Sequence, residues 1–225
     1  ISYLPQYSMD VSTALSSITV AHGDILKAQL GYAQYYDGYG WYPGDWPLNV
    51  GTGYMLNVSN ASTLVYPSDA PSSLNDNTYY SSLSRNNHDE IWEVNPYAYE
   101  FTGSITSKVI LDEGLVSEGD LLAIFVGDEC RGVGKTIQSP VENEFIFMLM
   151  AYSNEVSGEE MTFSYYDSIN NEIYENIQTI EFEGDMVVGD AVDSYEVTLF
   201  DELLHPESYK LEAAYPNPFN PSTNL

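Results

Sequence analysis

Between residues 91 and 200 apolar and polar positions take turns. Phe101, Ile105, Val109 and Leu111 alternate with polar neighbours over "FTGSITSKVIL", the period-2 pattern of a half-buried strand. "DLLAIFVG", "EFIFMLMAY", "MTFSYYD", "EIYENIQTIEF" and "SYEVTLF" follow, parted by Gly, Asn, Asp and Ser. Roughly six to eight short strands at this spacing predict an antiparallel β-sandwich. "EFIFMLMAY" is apolar at nearly every position, so it is expected to be a central strand buried on both faces.

Residues 1–67 carry a mixed pattern and predict a small α+β module. Asp10 precedes "VSTALSSI" and is placed to cap a helix over about residues 11–30. Leu15, Ile18, Ile25, Leu26 and Leu30 fall near one helical face, with a break expected at Gly23. Short aromatic strands are expected in "YAQYYDGYGW", "GYMLNVS" and "STLVYP". Residues 68–90 are rich in Ser, Asn and Asp and predict a linker. Residues 201–225 form a tail that closes on "YPNPFNPSTNL". Its prolines each remove a backbone donor and push the preceding residue toward extended geometry, so the tail is expected to be extended.

Charge narrows the partners. The chain has 225 residues and is 44% hydrophobic, with 34 acidic and 6 basic residues and a net charge of −28. That charge repels phosphate, which excludes nucleic acid as a partner and argues against an anionic membrane surface. It suits an extracellular or saline setting and divalent cations. No apolar run approaches the roughly 18 residues of a membrane span, and "ISYLPQYSMD" lacks the basic region and cleavage site of a signal peptide. Twenty tyrosines supply large contact areas with polar tips. Cys130 is the lone cysteine, so no internal disulfide forms, and its apolar setting predicts an inert thiol.

Motif chemistry is sparse. "GVGKT" at 132–136 lacks the first glycine of a phosphate-binding loop, because Glu129 stands there, and no helix is expected after it. "GTGYM" at 51–55 leads into a strand without a third glycine. His22, His88 and His205 have no metal-ligand spacing, and no HExxH or GxSxG pattern occurs. The chain is therefore expected to be non-enzymatic. Asp112, Glu113, Glu118, Asp120, Asp128 and Glu129 fall in predicted turns and are the candidate calcium ligands, although no EF-hand-type loop is present. In "YYDGYGWYPGDW", Tyr35, Tyr36, Trp41, Tyr42 and Trp46 are the candidate partner or sugar contacts, with most of the segment expected buried and one or two rings exposed. Asn57 and Asn60 head two glycosylation sequons.

Three stretches carry a resemblance. Tyr215, Pro216, Asn217, Pro218, Phe219, Asn220 and Pro221 open a "YPNPFNPST" motif. It resembles the start of the sorting domains on cargo of the type IX secretion system of Bacteroidetes and allied phyla. "ISYLPQ", "LKAQLGYAQYYDGYGW" and "GTGYMLNVSNASTLVYP" are similar to a GWNW/ISYLPQ-type repeat module of large secreted proteins from these bacteria. "GDLLAIFVGDECRGVG" and "IEFEGDMVVGD" resemble the companion β domain of such proteins. The resemblance implies a secreted, structural or adhesive surface protein and supplies no catalytic residues. The first expectation is thus a self-assembling protein of the cell surface or matrix, a homo-polymer or a partner of other surface proteins, joined by strand exchange at its ends. The alternative is a polysaccharide-binding module of a secreted degradative protein.

Overall fold

A computed structural model describes residues 1–68, 91–111 and 115–199. It is mainly β. In the carboxyl-terminal half, the strands are β7 (Phe101–Leu111), β8 (Leu121–Val126), β9 (Glu129–Gln138), β10 (Phe145–Ser153), β11 (Ser157–Asp167), β12 (Glu172–Glu183), β13 (Val187–Val188) and β14 (Tyr195–Leu199). They form one sheet in the order β12-β11-β8-β9-β10-β7-β13, with β14 also on β7. The sheet curls on itself as a sandwich around Ile105, Leu122, Phe147, Phe163, Tyr165, Phe182 and Val197, all at most 1% exposed.

Strand β9 makes the corner. Its first part pairs with β8, from Val126↔Glu129 to Leu121↔Lys135, and its last part pairs with β10, from Phe147↔Thr136 to Phe145↔Gln138. The turn brings backbones close. A Cβ on Gly132 would stand 2.1 Å from the Met150 carbonyl oxygen, and one on Gly134 would stand 3.0 Å from the Met148 oxygen. The glycines of "GVGKT" therefore serve sheet curvature.

The amino-terminal half holds a four-stranded antiparallel sheet in the order β4-β3-β2-β6: Gly40–Tyr42, Gly31–Tyr36, Ile25–Ala28 and Met55–Asn57. Strands β1 (Met9–Asp10) and β5 (Pro47–Leu48) pair beside it. Helix α1 is shorter than expected, only Val11–Ala14, although Asp10 caps it through Thr13 as its sequence predicts. The continuation fails for local reasons. Gly23 adopts φ 87°, and the Asp24 carboxylate accepts the amides of Ala21 and Ser59. Ile25–Ala28 then pair with β3 and β6, so tertiary pairing overrides a helical spacing. "STLVYP" is not a strand. It is laid along the loop after α1, where the Val65 amide donates to Ser17 Oγ and Thr19 to Ser62 Oγ.

Candidate functional site

The aromatic segment lies between two cores. Alternation on β3 sends Ala33 and Tyr35 into the amino-terminal core beside Trp41, Trp46 and Leu26. It sends Tyr32, Gln34 and Tyr36 the other way. Ile25 and Lys27 of β2 and Tyr42 of β4 share that second face. It packs on the outer face of β10, whose Ile146, Met148, Met150 and Tyr152 alternate with the inward Phe147, Leu149 and Ala151. "EFIFMLMAY" is apolar throughout because one face closes the sandwich and the other receives the amino-terminal sheet.

Tyrosine hydroxyls bridge this junction. Tyr32 Oη lies 2.7 Å from Thr106 Oγ1. Tyr36 Oη accepts the Ala191 amide at 2.9 Å and donates to Gln34 Oε1 at 2.9 Å. Tyr152 donates to the Gln29 carbonyl at 2.7 Å, and Tyr42 to the Gln138 carbonyl. Burial pushes the hydroxyl pKa of Tyr36 and Tyr152 up, so both stay protonated donors. Lys27 is 4% exposed and donates to the Asp185 carbonyl at 3.0 Å. Burial lowers its pKa, against the pull of the Asp185 carboxylate 4.0 Å away. His22 Nε2 lies 3.9 Å from Asp190 Oδ2 across the same junction.

This geometry decides what the five candidate rings can touch. Trp46 is fully buried, Tyr36 is 1% exposed and Trp41 6%. Tyr35 and Tyr42 are half-buried. Three of the five rings are thus buried, and the most exposed ring of the segment is Tyr39, at 58%. The amino-terminal segment is also committed within its own chain. Ser2 bridges Gly53, the Tyr54 amide donates to the Ile1 carbonyl, and Tyr3 is 4% exposed.

Among the described residues the calcium candidates do not gather into one cluster. Asp120, 1% exposed, accepts the hydroxyls of Tyr165 and Ser168 and the amides of Ser117 and Ser168. Burial raises its carboxyl pKa, but these four bonds outweigh burial and hold it below the ordinary range. Glu129 accepts from Tyr99 and pairs with Arg131, and these two, in that order, lower its pKa. Glu118 and Asp128 point to solvent. Asp112 and Glu113 lie outside the described residues, as do the tail motif Tyr215–Pro221 and nearly all of the predicted linker. Among the described residues no group of three His, Cys, Asp or Glu could hold a metal ion, and no helix is long and apolar enough to cross a membrane.

Arg131 escaped the sequence reading. It is 8% exposed, forks onto both Glu159 oxygens at 3.2 and 3.3 Å, and lies 4.8 Å over the Tyr99 ring. The available signal was weak, an arginine beside Cys130 at the start of a strand that also carries the exposed Glu129 and Lys135. Burial pushes the neighbouring Cys130 thiol up to about 11, which keeps it a thiol at neutral pH. Lys27 and Arg131 are thus paired inside the fold, and Lys108 pairs with Glu196 at the surface, where acidic residues dominate a chain of 34 acids and 6 bases. No protein-family model, no curated protein and no solved structure matches this chain.

Proposed function

We propose that this chain is a secreted structural or adhesive protein of the cell surface or extracellular matrix, assembling with copies of itself. One observation carries the reading. Tyr32, Tyr36, Trp41, Trp46 and Tyr152, with Lys27 and Arg131, are side chains that would equip a binding or catalytic cleft, and they are built instead into the junction and cores of the body. The acidic exterior supports solubility outside the cell, and the tail motif's resemblance to sorting domains supports export. Because Ser2 and Tyr3 are held by their own module, the end proposed to join copies is the carboxyl-terminal one.

Electron microscopy of native extracellular material, with antibody labelling of this chain, tests the proposal. Ordered filaments or sheets carrying the label are the expected result. Label confined to the cell interior, or to isolated particles, would overturn it. Isolated particles that bind polysaccharide would favour the carbohydrate-binding alternative.

A further inference from the structure

We infer that the carboxyl-terminal sandwich is a tension clamp, in which the parallel pairing of its first and last strands carries load along the chain. The inference deepens the proposed surface role, since a subunit joined to neighbours through its tail is pulled through that tail. Strand β7 opens the sandwich and is fed at its amino end by the rest of the chain. Strand β14 closes it and leads into the tail at its carboxyl end. The two run parallel, in register from Tyr195↔Ser107 to Leu199↔Leu111. Strand β13 continues the same edge in parallel, Val187↔Ser104 and Val188↔Ile105. Hydrogen bonds from Asp185 to Thr102 (2.8 Å) and from Ser104 to Met186 (2.9 Å) extend it toward the amino end of β7.

Tension enters β7 at its amino end and leaves β14 at its carboxyl end. In a parallel pair those ends are opposite, so the force runs along the strands and loads the ladder bonds together. An antiparallel terminal pair would put both loaded ends on one side and open bond by bond.

The last strand is held on its second edge as well. Gln178 of β12 presents its side-chain amide like one residue of an absent strand. Its Oε1 accepts the Thr198 amide at 3.2 Å, and its Nε2 donates to the Glu196 carbonyl at 3.1 Å. Lys108 and Glu196 form an ion pair across the β7–β14 ladder at 3.1 Å. Val197 is fully buried and Leu199 is 7% exposed. The excursion between β13 and β14 is gripped by the amino-terminal module, through Ala191 on Tyr36. Sliding β14 past β7 must break these contacts at once.

Single-molecule pulling of the full chain tests the clamp, in a Cys130→Ser background whose urea stability is first matched to the parent. One variant is tethered at Tyr97→Cys and the carboxyl terminus, which shears β14 along β7. The other is tethered at Leu115→Cys and the carboxyl terminus, which peels β14 from β7 at their shared carboxyl end; Tyr97 and Leu115 are both exposed. The folded protein is the same in both, so only direction differs. The shear geometry is expected to need at least about twice the unfolding force of the peel, because forced unfolding reports the barrier rather than equilibrium stability. Equal forces, or a weaker shear, would overturn the clamp. A protein that never polymerises can still show it, so the outcome is separate from that of the microscopy.

Discussion

Tyr36→Phe isolates what the hydroxyl latches contribute. The ring is 1% exposed and its shape is kept, so apolar burial stays constant. Only the hydroxyl goes. It leaves two partners stranded, the Ala191 amide and Gln34 Oε1, each bonded at 2.9 Å and each on a residue 4% exposed. A buried polar group without a partner costs about 1–3 kcal/mol. Removing the hydroxyl also removes its own desolvation cost, about 1–2 kcal/mol, which offsets part of the loss. The net expectation is about 2–3 kcal/mol of destabilisation. Tyr32→Phe removes the bond to the Thr106 hydroxyl, a group free to rotate toward another acceptor, so about 1 kcal/mol is expected there. Urea unfolding read by tryptophan fluorescence measures both, since Trp41 and Trp46 sit in the amino-terminal core. Protection of β10 amides against hydrogen exchange should weaken in step, because Tyr36 packs on Ile146. The exposed Tyr39→Phe is the control and should stay within about 0.5 kcal/mol. If Tyr36→Phe matches Tyr39→Phe, the hydroxyls contribute nothing and the junction is held by packing alone.

Three further outcomes follow from other parts of the fold. Gly132→Ala places a methyl 2.1 Å from a backbone oxygen, so a loss of about 3 kcal/mol or more is expected in thermal or urea unfolding. The Asp120 carboxyl is held below its unfolded value; its contribution is complete above roughly pH 4 and is lost as pH falls through the lower folded value. Asp120→Asn should therefore flatten the acid limb of a stability-against-pH curve, and an unchanged limb would refute this. Gln178→Leu removes the amide that meets Glu196 and Thr198; about 1–2 kcal/mol is expected to be lost, with faster exchange of the Thr198 amide as the local readout.

The strands of the carboxyl-terminal half were legible because each alternates or runs apolar between turn residues, and that period has one physical meaning. The doubly buried β10 could be read from "EFIFMLMAY" for the same reason. What covers its outer face could not. A two-faced apolar strand says that something packs there, and the covering residues lie more than a hundred positions earlier, in β2 and β3. The false helix after Asp10 shows the converse. Its cap was correct, yet Leu15, Ile18, Ile25 and Leu26 fit a helical spacing by chance, and the pairing of Ile25–Ala28 with two strands settled the matter. Asp120 was singled out for its charge, but oxygen-rich turns attract hydroxyls and amides as readily as cations, and here they filled its acceptor sites first.

The abundance of tyrosine then has a structural cause. Leu or Phe in place of Tyr36 on β3 and Tyr152 on β10 would bury the Ala191 amide and the Gln29 carbonyl against carbon. Tyrosine covers the same area and ends in a group that bonds the neighbour's backbone. In this fold Tyr36 and Tyr152 do this from opposite sides of one junction. An excess of tyrosine in an acidic chain therefore need not mark a ligand surface. It can mark modules that dock rigidly, and rigid docking is what keeps the excursion at Ala191 braced when the last strand is pulled.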